Sequence, residues 1–349
     1  MAREGIARAS TAWGLALSDQ AAARGGIRHV AWLYRTPGEY VSGLREFVQA
    51  GVSATEPLLI AAPFGRLPPD WETRTRGAGA RTLDAAELGR NPARVMPAIR
   101  AFADEHAGKH IRVVSELAWA GRSEAELSEV ARYEMMANLA FASTPITMIC
   151  LYDAAELPGS AISAACASHP WLRQSGREQH SGEYRRAQDG LASPEPPLPV
   201  PPGAQAMSYR NDLRPVRALV AGEADRAGLS GPRRTDLVIA ASEVAANTLK
   251  HTGGAGLVRV WVTRDEILCQ FDDSGYIENP LAGYGRPSGD EPGGQGLWLV
   301  NQVCDLAEIR TSPVGTTIRM HMFRDVPQAG LGSRERVGQP EFGSAGRTS

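Results

Sequence analysis

A run of prolines constrains this chain more than any other feature. Residues 194–202 read PEPPLPVPP, and six of these nine are proline. Each proline lacks a backbone N–H and fixes φ near that of polyproline II, so neither a helix nor an inner strand can cross the run. The expected form is an extended, semi-rigid spacer. It divides 349 residues into two parts, which suits a chain longer than the roughly 250–300 residues that one core usually supports. Residues 173–190 are polar and lack apolar periodicity. The predicted boundaries are a first domain over 25–175, a linker over 176–206, a second domain over 207–324 and a disordered Gly-, Ser-, Arg- and Glu-rich tail over 325–349.

The two domains differ in pattern. In the first, apolar runs at 29–34 (HVAWLY), 57–62 (PLLIAA), 111–117 (IRVVSEL) and 144–151 (TPITMICL) alternate with helical spacing at 38–51, 92–107 and 123–141. That alternation predicts an α/β domain with three layers and a parallel sheet. In the second, two consecutive helices at 212–228 and 232–251 precede strands at 257–263 and 266–272. A helix at 297–304 and a hairpin over 307–311 and 316–322 complete the pattern. Helices grouped on one side of a mixed sheet predict a two-layer α+β sandwich.

A net charge of −2 argues against a nucleic-acid or anionic-membrane surface. No apolar run reaches the roughly 18 residues of a bilayer span, and the first twenty residues do not read as a secretory signal. Cys150, Cys166, Cys269 and Cys304 show no CxxC spacing. They read as buried, reduced thiols, and the expected location is the cytoplasm.

Three stretches of the second domain carry chemistry. In SEVAANTLKH, Glu243, Asn247 and His251 recur every four residues and share a helix face. The Asn carbonyl suits Mg²⁺, and the carboxylate one turn earlier could accept a hydroxyl proton. An exposed polar stripe is the plain alternative. In FDDSG, a strand ends at Asp273 with Gly275 two residues on. A carboxylate there could accept the exocyclic amine of a base, and glycine removes bulk beside it; alone, DDSG is equally a turn. In PGGQGLWLV, Gly294 and Gly296 run into a helix start, where free N–H groups suit phosphate oxygens. Taken singly each is weak, but their order is specific.

With Gly315-Thr-Thr317 in the last hairpin, these stretches resemble the GHKL ATPase superfamily, the Bergerat-fold ATP-binding domains of histidine kinases, gyrase and the anti-sigma-factor serine kinases. The resemblance implies ATP and Mg²⁺. Asn247 would hold the metal, with His251 completing the helix motif; Asp273 would read adenine beside Gly275. Gly294, Gly296 and Leu297 would form the phosphate loop, and Thr317 would support the adenine side. Residues 276–292 would be a mobile lid, short as in the anti-sigma-factor kinases.

A histidine autokinase needs a helical hairpin bearing its phosphoacceptor just before such a domain. The proline spacer stands there instead, and His180 lies in a polar segment without heptads. Likeness to the serine kinases implies Glu243 as catalytic base, an anti-anti-sigma partner of the STAS type and a sigma factor as second partner. The competing readings are a non-catalytic ATP-dependent partner-switching module and a histidine-kinase-like sensor component; homodimerisation stays open.

The first domain resembles MEDS sensory domains through HVAWLYRTPGEYVSGLREFVQAG, IRVVSELAW, ARYEMMANLAF, ICLYDAAELPG and His169-Pro170. It lacks GxxxxGK[ST], which argues against nucleotide hydrolysis there. Glu116, Tyr152 and Asp153 stand where parallel sheets bind ligands, outside the carboxyl ends of strands, though capping roles explain them equally. His29 starts its strand and reads as structural. His106 and His110 have an i, i+4 spacing that can bind zinc, but Gly108 between them favours a solvated helix end. A small-molecule signal is expected, its identity open.

Overall fold

In a computed structural model of the protein, residues 25–68, 71, 79–191, 197–286 and 295–324 are described. The first domain contains β1 (Ile27–Tyr34), α1 (Pro37–Ser53), β2 (Leu58–Ala62), β3 (Arg81–Asp84), α2 (Val95–Glu105), β4 (Ile111–Ser115), α3 (Glu124–Ala140), β5 (Ile146–Asp153), α4 (Gly159–Ser168), β6 (Trp171–Gln174), β7 (Arg177–His180) and α5 (Ala187–Leu191). Among the described residues its sheet runs β3-β2-β4-β5-β1-β6-β7. All neighbours are parallel except the β6–β7 hairpin.

The three-layer expectation holds because alternate side chains feed two cores. Val30, Trp32 and Tyr34 pack with Tyr40, Leu44 and Phe47 of α1. Ala31 and Leu33 join Val130, Tyr133 and Met136 of α3 on the other face. Helix ends are set locally: Thr36 accepts from the Glu39 amide before Pro37 opens α1, and Ser123 with Glu126 forms a capping box on α3.

The second domain contains β8 (Gln205–Arg210), α6 (Arg214–Ala227), α7 (Gly231–His251), β9 (Ala255–Val262), β10 (Glu266–Asp273), α8 (Gln295–Val303), β11 (Leu306–Ser312) and β12 (Gly315–Phe323). Its sheet order is β11-β12-β10-β9-β8, and every pairing is antiparallel. The expectation of a mixed sheet is corrected: tight hairpins join β9 to β10 and β11 to β12, and a hairpin can only reverse the chain. Val258, Val260, Ile267, Cys269, Phe271, Ile318 and Met320 face the helices and pack with Val220, Leu237, Ala241 and Val300, giving the predicted two layers.

The stretch expected to be linker is more structured than its sequence suggested. β7 and α5 lie within it, and β8 already pairs with β9 from Gln205 onward. Edge strands such as β7 (REQH) carry few apolar residues because only one flank is covered, so they escape a reading by periodicity. Pro199 is tied to the second domain: Arg319 donates to its carbonyl at 2.7 Å. The disordered-tail expectation over 325–349 lies outside the described residues.

The domains touch through polar and apolar contacts. Arg94 donates to the carbonyls of Asn301 (2.8 Å) and Cys304 (2.5 Å) at the end of α8. The Asn91 amide donates to Asn301 Oδ1 at 3.1 Å. Arg310 of β11 pairs with Glu129 of α3 at 2.6 Å. Tyr284 and Leu281 of the second domain pack into the apolar core beneath α3.

Candidate functional site

α7 opens with Pro232 in its first turn, where a missing N–H leaves no helical bond unmade. Its buried face (Leu237, Ala241, Val244, Ala245, Thr248) sets the register of the neighbouring face, which carries Glu243 and Asn247, both half-buried. Gly296, in the first turn of α8, lies against that pair. A Cβ on Gly296 would stand 2.9 Å from Asn247 Nδ2 and 3.2 Å from Glu243 Oε2. Glycine is therefore required if this helix start is to approach both side chains.

Asp273 ends β10 on its helix-facing side. Thr248 donates to its Oδ2 at 2.7 Å, and the Gly275 amide donates to its Oδ1 at 2.8 Å. The Gly275 carbonyl accepts from Thr316 at 2.8 Å, and Thr316 also meets Thr311 at 2.8 Å. A Cβ on Gly275 would approach Thr252 Cγ2 at 2.7 Å and Asp273 Oδ1 at 3.0 Å. The carboxylate is held in one orientation by α7 and its own turn, with lone pairs to spare.

Thr317 is not part of this group. Side chains alternate along β12, so Thr317 emerges on the far face and donates to Asp272 at 2.7 Å, where Arg259 also pairs. Thr316, which is the register partner of Asp273, takes the position expected of Thr317. His251 is exposed at the last residue of α7. Leu297 is buried in the domain core, so it anchors α8 and does not line the polar surface. Gly294 lies outside the described residues.

The described part of the expected lid is packed. The Ile277 amide donates to Thr311 at 2.9 Å, and the Gly283 carbonyl accepts from Asn301 at 3.0 Å. Gly283 adopts φ +85°, and a Cβ there would stand 3.0 Å from Leu297 Cβ. Of the mobile lid expected over 276–292, the described residues 276–286 are thus anchored at Ile277 and Gly283; residues 287–294 are outside the described set. A cleft of about 650 Å³ lined by Pro199, Pro201, Glu223 and Trp261 opens at the other end of the sheet, since Val262 pairs with Ile267 at the start of β10.

The donor set fits a nucleotide with Mg²⁺. Two cradles that a Cβ would fill, at Gly275 and Gly296, flank a hydrogen-bonded carboxylate and a helix start whose dipole favours anions. Asn247 offers a hard oxygen suited to Mg²⁺. Thr248, Thr252 and Thr316 were missed in the sequence. Thr248 and Thr252 are four apart and share a face beside the Asn247 stripe, a signal hidden by the more conspicuous polar run.

In the first domain, Glu116 is fully buried and accepts from Arg66 (2.7 Å), Tyr40 (3.1 Å) and Tyr34 (3.4 Å). Burial nonetheless raises its carboxyl above the ordinary range, with Arg66 opposing. Asp153 joins this group, 3.7 Å from Arg66. Tyr152 points to the opposite face, 3.4 Å from Glu134. His106 and His110 are apart in role: His106 caps α2, and His110 pairs with Glu56 at 2.9 Å. His180 stacks on Trp171 within the β6–β7 hairpin, ring centroids 3.6 Å apart. His29 is fully buried.

An antiparallel sheet backed by helices, an Asn–Glu face against a helix-start glycine, and a carboxylate fixed at a strand end define an ATPase domain of the histidine-kinase-like class. Residues 208–322 match the family model described as a histidine kinase-like ATPase domain, and residues 28–170 match that of MEDS, the methanogen/methylotroph DcmR sensory domain. The chain thus carries a MEDS sensory domain and a histidine-kinase-like ATPase domain together. No curated protein matches it significantly. These two domains make it a signalling regulator with a kinase-like ATPase, and a domain of this class implies ATP binding. Among the described residues no helix is long and apolar enough to cross a membrane.

Proposed function

We propose that the ATPase domain is a protein serine/threonine kinase of the anti-sigma-factor type, acting in the cytoplasm on a STAS-type partner under control of the MEDS domain. The observation that carries this reading is the placement of Glu243 beside Asn247, both against Gly296. A carboxylate thereby lies next to the surface suited to phosphate oxygens. Asp273 and Gly275 would hold the base, and Asn247 would hold Mg²⁺, which would offset charge on the phosphates. Glu243 accepts the proton of a serine hydroxyl as its oxygen bonds to the terminal phosphorus and the bond to the bridging oxygen breaks. The tyrosine-lined Glu116 cluster at the carboxyl ends of the MEDS strands is where such a sheet would take its signal.

The test is transfer of labelled terminal phosphate from ATP to a purified STAS-domain protein. Glu243→Gln should reduce transfer at least about a hundredfold, the scale of a lost general base, while ATP affinity stays within about threefold. Transfer undiminished in that variant overturns the role of Glu243. Absence of transfer alongside retained ATP binding returns the domain to a non-catalytic module.

A further inference from the structure

A second group of reactive side chains lies inside the MEDS domain, well away from the ATP site. β1 and β5 are parallel neighbours, and His29 and Cys150 project from them toward the layer of α3 and α4. α3 supplies Glu134, and His169 follows α4 directly. All four are buried, His29 and His169 at 0 % exposure and Glu134 and Cys150 at 1 %. One donor atom from each lies within 4.8 Å of the other three.

Four of the six separations are close to those of a coordination shell. His29 Nε2 is 3.1 Å from Glu134 Oε2 and 3.2 Å from Cys150 Sγ. Cys150 Sγ is 3.4 Å, and His169 Nε2 3.7 Å, from Glu134 Oε2. A tetrahedron with metal–donor bonds of about 2.0–2.3 Å has edges of roughly 3.3–3.8 Å.

The surrounding bonds set both imidazoles to face inward with a lone pair. Asn138 spends its amide N–H groups on the carbonyls of Glu134 (3.0 Å) and Ser168 (2.8 Å), so its Oδ1 is an acceptor. His29 Nδ1, 3.1 Å away, therefore carries the proton. His169 Nδ1 lies 2.9 Å from the Ala165 carbonyl and is likewise the protonated nitrogen. His169 Nε2 is buried without a hydrogen-bond partner. Two inward-facing ring nitrogens then meet a carboxylate and a sulfur, with the Tyr152 hydroxyl 3.4 Å from the other carboxylate oxygen. Lone pairs gathered this way repel unless a cation stands between them. Each ring nitrogen held by a carbonyl oxygen is also the usual outer support of a metal-binding histidine.

We propose that His29, Glu134, Cys150 and His169 bind one tetrahedral divalent ion of the zinc class. Two neutral imidazoles, a thiolate and a carboxylate balance the ion's two charges, which suits a site without solvent. The thiol proton leaves to solvent as the sulfur–metal bond forms. All four positions come from the chain, so the ion is closed off and ties β1 and β5 to α3 and α4.

The test uses the full chain. Mass spectrometry of the purified protein should find one zinc per chain, and exchange for Co²⁺ should give tetrahedral d–d bands with a thiolate-to-cobalt charge-transfer band. Cys150→Ser should abolish that charge-transfer band, whereas Cys166→Ser should leave it unchanged. Asn138→Ala, which frees the His29 ring, should weaken Co²⁺ binding about tenfold or more. The proposal is overturned if the folded chain, as purified and after supply of Zn²⁺, Co²⁺ and Fe²⁺, holds less than about a tenth of an ion. It is equally overturned if the wild-type cobalt spectrum lacks the charge-transfer band, a result that does not depend on any variant folding.

Discussion

At the scale of single residues, the ATP site turns on two places where a methyl group cannot fit. Adding a Cβ at Gly296 brings it within 3.0 Å of Asn247, so the Asn247 amide must move or α8 must retreat. Gly296→Ala should weaken ATP binding at least about tenfold in titration calorimetry, while the apparent Tm changes little, because alanine gains roughly 1 kcal/mol in helix propensity that offsets the crowding. Retained affinity would show that this helix start does not contact the phosphates. His321 makes a second prediction at this scale. It sits between Glu266 (2.8 Å) and Glu308 (2.9 Å), with Arg319 and Arg310 also near Glu308. Burial acts to lower its pKa, but the two carboxylates prevail and raise it to about 9. A raised folded pKa contributes stability that is complete below the unfolded value near 6.5 and is lost as pH rises through 9. The wild-type ATPase domain should therefore lose stability, on the order of 3 kcal/mol at most, between those limits. His321→Gln should flatten that part of the pH–Tm curve; an unchanged slope would assign the loss to other groups.

At the scale of elements, α8 joins the site to the rest of the chain. Its first turn carries Gly296, and its last carbonyls accept from Arg94 of the other domain. The helix core was legible in the sequence, because Leu297 and Val300 show the apolar spacing of a buried face. Its cap was not, since the capping residue is remote in sequence and no local pattern announces it. The same limit explains Thr316 against Thr317. Two adjacent threonines differ only in which face of β12 they take, and that is fixed by pairing with β10. The polar strands β7 and β8 escaped for a related reason: edge strands carry weak alternation. By contrast the shared helix face of Glu243 and Asn247, and the strand end at Asp273, could be read from spacing, because each depends on one element alone. Arg94→Ala should destabilise α8 by about 1–3 kcal/mol, since it strips partners from buried carbonyls. Hydrogen exchange should then rise in residues 300–304 and not in α7. Equal protection in the variant would show that α8 is held by its apolar face alone.

Over the whole molecule, the MEDS domain grips the two segments that border the nucleotide surface. Asn91 and Arg94 hold the end of α8, and the apolar core under α3 takes in Tyr284 from the segment after Asp273. Asn301 ties these together, accepting from Asn91 while donating to the Gly283 carbonyl. α3 also carries Glu129, the partner of Arg310, and Glu134 of the buried cluster. α3 thus touches both β11 and residues 281–284, a route between the domains that does not pass through the proline run. Coupling of this kind must be reciprocal: if a signal in the MEDS domain alters ATP affinity, ATP must alter the MEDS domain by the same free energy. ATP should therefore slow hydrogen exchange in α2 and α3 of the wild-type chain. Tyr284→Ala, which empties the shared pocket, should abolish that effect while ATP still protects α7. If ATP leaves α2 and α3 unchanged in the wild type, the contact is a static joint, and control of the ATPase must come through a partner protein.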